Sequence, residues 1–99
     1  DDAISIPKEF TLKQNYPNPF NPTTDISFTL EQATDVTLTI YNMLGQQVRV
    51  LVNESRQAGL HTIRWNGRGN MGQAVSAGIY LYTLTNGTKS ITKKMALMK

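Results

Sequence analysis

The dipeptide Asn86-Gly87 constrains this chain more than any other feature. It separates two runs of β-formers, Ile79 to Thr85 and Thr88 to Leu97. In that setting Asn-Gly predicts a β-hairpin with a type I′ turn, whose two central residues both need positive φ. The register then follows. In the first arm Ile79, Leu81 and Thr83 alternate with Tyr80, Tyr82 and Leu84, so both faces are partly apolar. That pattern suits a central strand, covered on one side and flanked by aromatic rings on the other. The second arm sets Lys89, Lys93, Lys94 and Lys99 among Ile91, Met95, Leu97 and Met98. It can close a sheet as a cationic edge strand, where lysine either blocks unwanted pairing or serves recognition.

The same two-residue period recurs upstream. Phe10 to Gln14 alternates with Phe10 and Leu12 inward. Thr24 to Leu30 places Ile26, Phe28 and Leu30 on one face against Asp25, Ser27 and Thr29. Asp35 to Tyr41 repeats this with Val36, Leu38 and Ile40 inward, and Asn42 to Gln46 turns with Gly45 available for positive φ. Gln47 to Asn53 carries Val48, Val50 and Val52, with Leu51 on the other side. Glu54 to Gly59 reads as a polar loop. Leu60 to Asn66 then aligns His61, Ile63 and Trp65. About seven short antiparallel strands at roughly 8 to 12 residue spacing predict an all-β sandwich, with no helix of useful length. At 99 residues the chain holds one domain and one modest core. Residues 1–9 read as a linker from something upstream, and 10–99 as the domain.

Between the first two strands lies Asn15-Tyr-Pro-Asn-Pro-Phe-Asn-Pro22. Its prolines fix φ and push their predecessors toward extended geometry, so the loop is stiff without sheet pairing. It fits a rigid crossover packed into the end of the sandwich; a ligand for an aromatic-lined groove is the competing use.

Few residues offer chemistry. The chain has no cysteine, which excludes disulfides, thiolate catalysis and cysteine-based zinc sites. The single histidine, His61, has no second ligand nearby in sequence, and its alternation with Ile63 and Trp65 favours a hydrogen-bonded structural role. Trp65 reads as core, with an exposed sugar-stacking platform as its alternative. Gly67 to Gly72 matches G-x-G-x-x-G, yet no helix can follow it before Gly78 and no acidic residue stands some twenty positions on, so a dinucleotide site is not expected. No two carboxylates pair in sequence for glycoside hydrolysis. The expectation is a non-enzyme without cofactors. The net charge of +3 favours anionic surfaces without requiring nucleic acid. No apolar run approaches the ~20 residues of a membrane span, and a signal peptide, if the protein is exported, would lie upstream of Asp1.

Four segments together resemble one family: Leu12 to Phe28, Ile40 to Val48, Ala58 to Gly67 and Ala77 to Tyr82, closed by Lys94-Met-Ala-Leu-Met-Lys99. They resemble the type A C-terminal sorting domain of proteins exported by the type IX secretion system of Bacteroidetes and relatives. They are similar, too, to the immunoglobulin-like module of the flagellar hook-capping protein. Asn66 departs from the aspartate often found before the glycine.

The resemblance implies an immunoglobulin-like sandwich at the end of a secreted precursor. It implies recognition by the type IX outer-membrane translocon and removal by a sortase-like peptidase upstream of the fold. The cargo would be anchored to lipopolysaccharide at the cell surface or released, and the domain itself would be a monomer. Combined with the basic ribbon, it assigns packing of the recognition strand to Gly78, Tyr80 and Tyr82. The contact surface falls to Lys93, Lys94, Met95, Leu97 and Lys99. The alternative is a carbohydrate-binding or adhesive module of a polysaccharide-degrading enzyme, favoured if Trp65, Tyr80 and Tyr82 shared an exposed face.

Overall fold

The computed structural model describes residues 9–99. The expected linker over 1–9 lies outside that range except for Glu9. Seven strands follow: β1 (Thr11–Leu12), β2 (Thr24–Leu30), β3 (Thr34–Tyr41), β4 (Gln47–Arg56), β5 (Gly59–Trp65), β6 (Gly78–Thr85) and β7 (Ser90–Leu97). All pairings are antiparallel. They build a three-stranded sheet in the order β1-β2-β5 and a four-stranded sheet in the order β4-β3-β6-β7, with no helix among the described residues.

The alternation read from the sequence becomes the core directly. Ile26, Phe28 and Leu30 of β2 face Val36, Leu38 and Ile40 of β3 across the interior, and all six are buried. Trp65 fills the end nearest the proline loop. Its ring lies 5.7 Å from Phe20 and 5.6 Å from Tyr80, and its indole N–H donates to the Arg68 carbonyl at 2.9 Å. A large aromatic can be fully buried at low cost only when its polar handle finds a partner, and here it does.

Three expectations require correction. The hairpin is not a type I′ turn: among the described residues only glycines have positive φ, so Asn86 does not adopt it, while Gly87 does at 97°. The Asn86 side-chain oxygen instead accepts from the backbone N–H of Thr88 and Lys89 at 3.0 and 2.9 Å, and Thr85 pairs with Ser90 around a four-residue loop. Asparagine can terminate a turn through its side chain as well as through its backbone, and here the side chain prevails.

The polar stretch after Asn53 is largely strand. β4 runs on to Arg56 because Thr34 and Asp35 extend the ladder opposite it, leaving only Gln57 and Ala58 between strands.

The faces of β6 are also settled. Tyr80, Tyr82 and Leu84 point into the core, while Ile79, Leu81 and Thr83 face outward, so the aromatic rings lie inside the sandwich and do not flank it.

Candidate docking surface at the terminal strand

β7 is an edge strand, and only part of its outer edge is open. The proline loop folds back onto its C-terminal half. Gln14 donates to the Lys94 carbonyl at 2.7 Å and Ala96 N–H donates to the Asn18 side-chain oxygen at 3.0 Å. Phe20 N–H donates to the Ala96 carbonyl at 3.0 Å, and Met98 N–H donates to the Phe20 carbonyl at 2.9 Å. Phe20 can reach this position because its side chain is buried beside Trp65. The stiff crossover expected from the prolines thus acts as a short parallel cap on the edge, bridging Phe20 to Leu97. The stretch from Ser90 to Thr92 keeps an uncapped edge among the described residues.

The opposite edge is treated alike. Asn70, inside the glycine-rich loop, donates its N–H to the Val48 carbonyl at 3.1 Å and accepts from Val50 N–H at 2.9 Å. The G-x-G-x-x-G run is therefore an edge cover for β4. Its first glycine has φ of 75° and sits so close to Pro22 that a Cβ there would lie 3.0 Å from that residue's carbonyl oxygen.

Of the residues assigned to recognition, Tyr80 and Tyr82 are buried, and both hydroxyls are tied down. Tyr80 donates to the Ser76 carbonyl at 2.6 Å, and Tyr82 donates to the Lys13 carbonyl at 2.8 Å. Burial raises the pKa of both phenols, opposed at Tyr82 by the hydrogen bond from Asn15. Gly78 is exposed with φ of 150° and nothing near its absent Cβ, so it serves the backbone conformation and not the packing.

Met95 and Leu97 do not form a contact surface. They are 1% and 3% exposed and belong to the core. Bringing either into contact with a partner would forfeit roughly 1.5–3 kcal/mol of burial. The alternation of β7 instead turns Thr92, Lys94 and Ala96 outward. Lys93 is half-buried on the inner face, and Lys94 and Lys99 are exposed.

Charge is distributed unevenly. Asp25 pairs with Arg64, Glu54 with Arg56 and Glu31 with Lys89. Arg64 holds the Asp25 carboxyl below its ordinary pKa. Among the described residues no carboxylate neutralises Lys93 and Lys94 of β7 or Lys99 just beyond it, and the same holds for Lys13, Arg49 and Arg68.

His61 is half-buried, stacked on Phe28 at 5.3 Å, with Nε2 donating to the Gln57 carbonyl at 2.8 Å. Trp65, Tyr80 and Tyr82 are all buried and offer no sugar-stacking platform.

Two antiparallel sheets closed over one core, with loop-covered edges and a cationic terminal strand, define an immunoglobulin-like module. The chain belongs to the FlgD Ig-like domain family, which it matches over residues 15–90. Its fold is shared with dimeric latent PorU from Porphyromonas gingivalis, at a TM-score of 0.70 and 18% identity over 99% of this chain and 10% of that one. PorZ, described as an essential bacterial surface component of the type-IX secretion system of the same organism, aligns with a TM-score of 0.59 and 19% identity over 91% of this chain and 11% of its own. FlgD from Xanthomonas campestris, described in terms of the hook capping essential for flagellar assembly, aligns with a TM-score of 0.61 and 22% identity over 90% and 67%. The chain spans about a tenth of the length of PorU and PorZ. Comparison with curated proteins gave no match.

Proposed function

We propose that this module is a non-catalytic C-terminal sorting domain, read by the type IX outer-membrane translocon so that an upstream cargo is exported and anchored at the cell surface. The observation that carries the reading is that Lys93, Lys94 and Lys99 have no carboxylate partner among the described residues and lie on or just beyond a strand that the core and the proline loop hold in place. A receptor serving many cargos needs a signal whose shape is independent of the cargo, and a clamped basic edge provides one. The fold shared with PorZ and the sequence segments resembling sorting domains support it. In this reading a sortase-like peptidase cuts ahead of Phe10, and the released cargo is attached to lipopolysaccharide.

The test is a reporter fused ahead of the chain in a host carrying a type IX system. Because Leu97 is core, truncating the tail would unfold the domain, so charge reversal is the cleaner change. Lys94→Glu and Lys99→Glu together, both at exposed positions, should leave the thermal melt nearly unaltered and retain the reporter inside the cell. Lys13→Glu, also exposed, should leave export intact. Undiminished surface display of the double variant would refute the reading.

A further inference from the structure

We propose that the outer face of the four-stranded sheet seats an acidic polypeptide segment through one apolar anchor. The register places Tyr41, Leu81 and Lys94 in one row across that face and Ile79 beside Ala96 in the next. Met43, from the turn after β3, closes one side, and Asn18 of the proline loop closes the other. Together Asn18, Met43, Ile79, Lys94, Ala96 and the otherwise buried Met95 line a groove of about 230 Å³. Met43 and Ile79 remain 62% and 43% exposed, and no element covers them among the described residues. The groove falls below the roughly 300–1,000 Å³ of small-molecule sites, so it suits an anchoring side chain better than a whole ligand.

Three chain regions distant in sequence converge here: Asn18, Met43, and Ile79 with Ala96. The core does not need these side chains, since they point away from it.

Charge selects the occupant. Lys94 has no carboxylate partner among the described residues, whereas Asp35, which stands opposite Ser55 and has no cationic partner among them either, marks the far end of the same face. An anionic segment is drawn to the Lys94 end and repelled from the other, which fixes its position as well as its sign. The proposal deepens the export reading by naming the chemistry of the partner, and it rests on that reading for the partner's identity.

The experiment titrates the full chain with a synthetic peptide alternating aspartate with leucine around a central phenylalanine, followed by amide and methyl NMR. Saturable shifts confined to Met43, Ile79, Lys94, Ala96 and their neighbours are expected. Lys94→Glu and Ile79→Asp, both at exposed positions, should each weaken binding by about tenfold or more. Should Ile79→Asp lower the melting temperature, Lys94→Glu decides alone. Equal binding by a peptide with lysine in place of aspartate overturns the proposal. So do shifts scattered over every lysine, or binding of phosphatidylglycerol vesicles at this face in preference to the peptide. Failed export of the unaltered fusion with peptide binding intact would remove the export reading alone. Absent peptide binding with export intact would remove the groove alone.

Discussion

The hydroxyl of Tyr82 accepts a hydrogen bond from the backbone N–H of Asn15 at 2.8 Å, joining the centre of the four-stranded sheet to the entrance of the proline loop 67 residues away. The same hydroxyl donates to the Lys13 carbonyl, and the buried Asn15 side chain donates to Thr24 Oγ1 at 2.9 Å and to the Pro17 carbonyl at 3.2 Å. One phenol thus satisfies two backbone groups that would otherwise be left without partners inside the sandwich, and the loop that caps β7 is held from below.

Tyr82→Phe keeps the ring and removes the bridge. Two buried backbone groups lose their partner, so stability should fall by about 1–3 kcal/mol in urea unfolding. Hydrogen exchange at the Asn15 amide should accelerate in the same variant. An unchanged midpoint and unchanged exchange would show that the hydroxyl contributes nothing.

Alkaline pH should destabilise the fold. Burial raises the pKa of Tyr80 and Tyr82 above the ordinary value of 10.0, so the folded state holds these protons more tightly than the unfolded chain. Their contribution is complete below pH 10 and is lost as pH climbs from there through the folded values. Thermal melts between pH 8 and pH 11.5 should drop steeply only above about 10, and Tyr82→Phe should flatten part of that drop.

Trp65→Ala should cost about 3–5 kcal/mol, because the ring is buried against Phe20 and Tyr80 and the core cannot collapse into so large a void. The loss should extend to the cap on β7, since Phe20 rests on that ring. A melt altered by less than about 1 kcal/mol would contradict the packing described.

Edge protection should be uneven along β7. The Ala96 and Met98 amides donate into the proline loop, whereas Thr92 faces the uncapped stretch, so Thr92 should exchange far faster than the other two. Asn18→Ala removes the acceptor for Ala96 N–H and should speed exchange there while leaving the melt within about 1 kcal/mol. Equal rates at the three amides would mean the cap does not form in solution.

Sequence alone determined the strands and most of the core. Period-two alternation in β2 and β3 has one apolar set and one polar set, so burying Ile26, Phe28, Leu30, Val36, Leu38 and Ile40 was the only favourable choice. Trp65 and His61 were legible in the same way. The candidate site was legible only in part. Along β6 and the end of β7 both alternating sets carry apolar residues, so periodicity says which side chains share a face and cannot say which face turns inward. Only the packing of the second sheet decided that Tyr80, Tyr82, Met95 and Leu97 go in while Ile79, Lys94 and Ala96 stay out. The edge cap is beyond sequence reading for a different reason. A hydrogen bond between Asn18 and Ala96 spans 78 positions and leaves no local pattern, because it exists only once the sandwich has closed and brought the proline loop against β7.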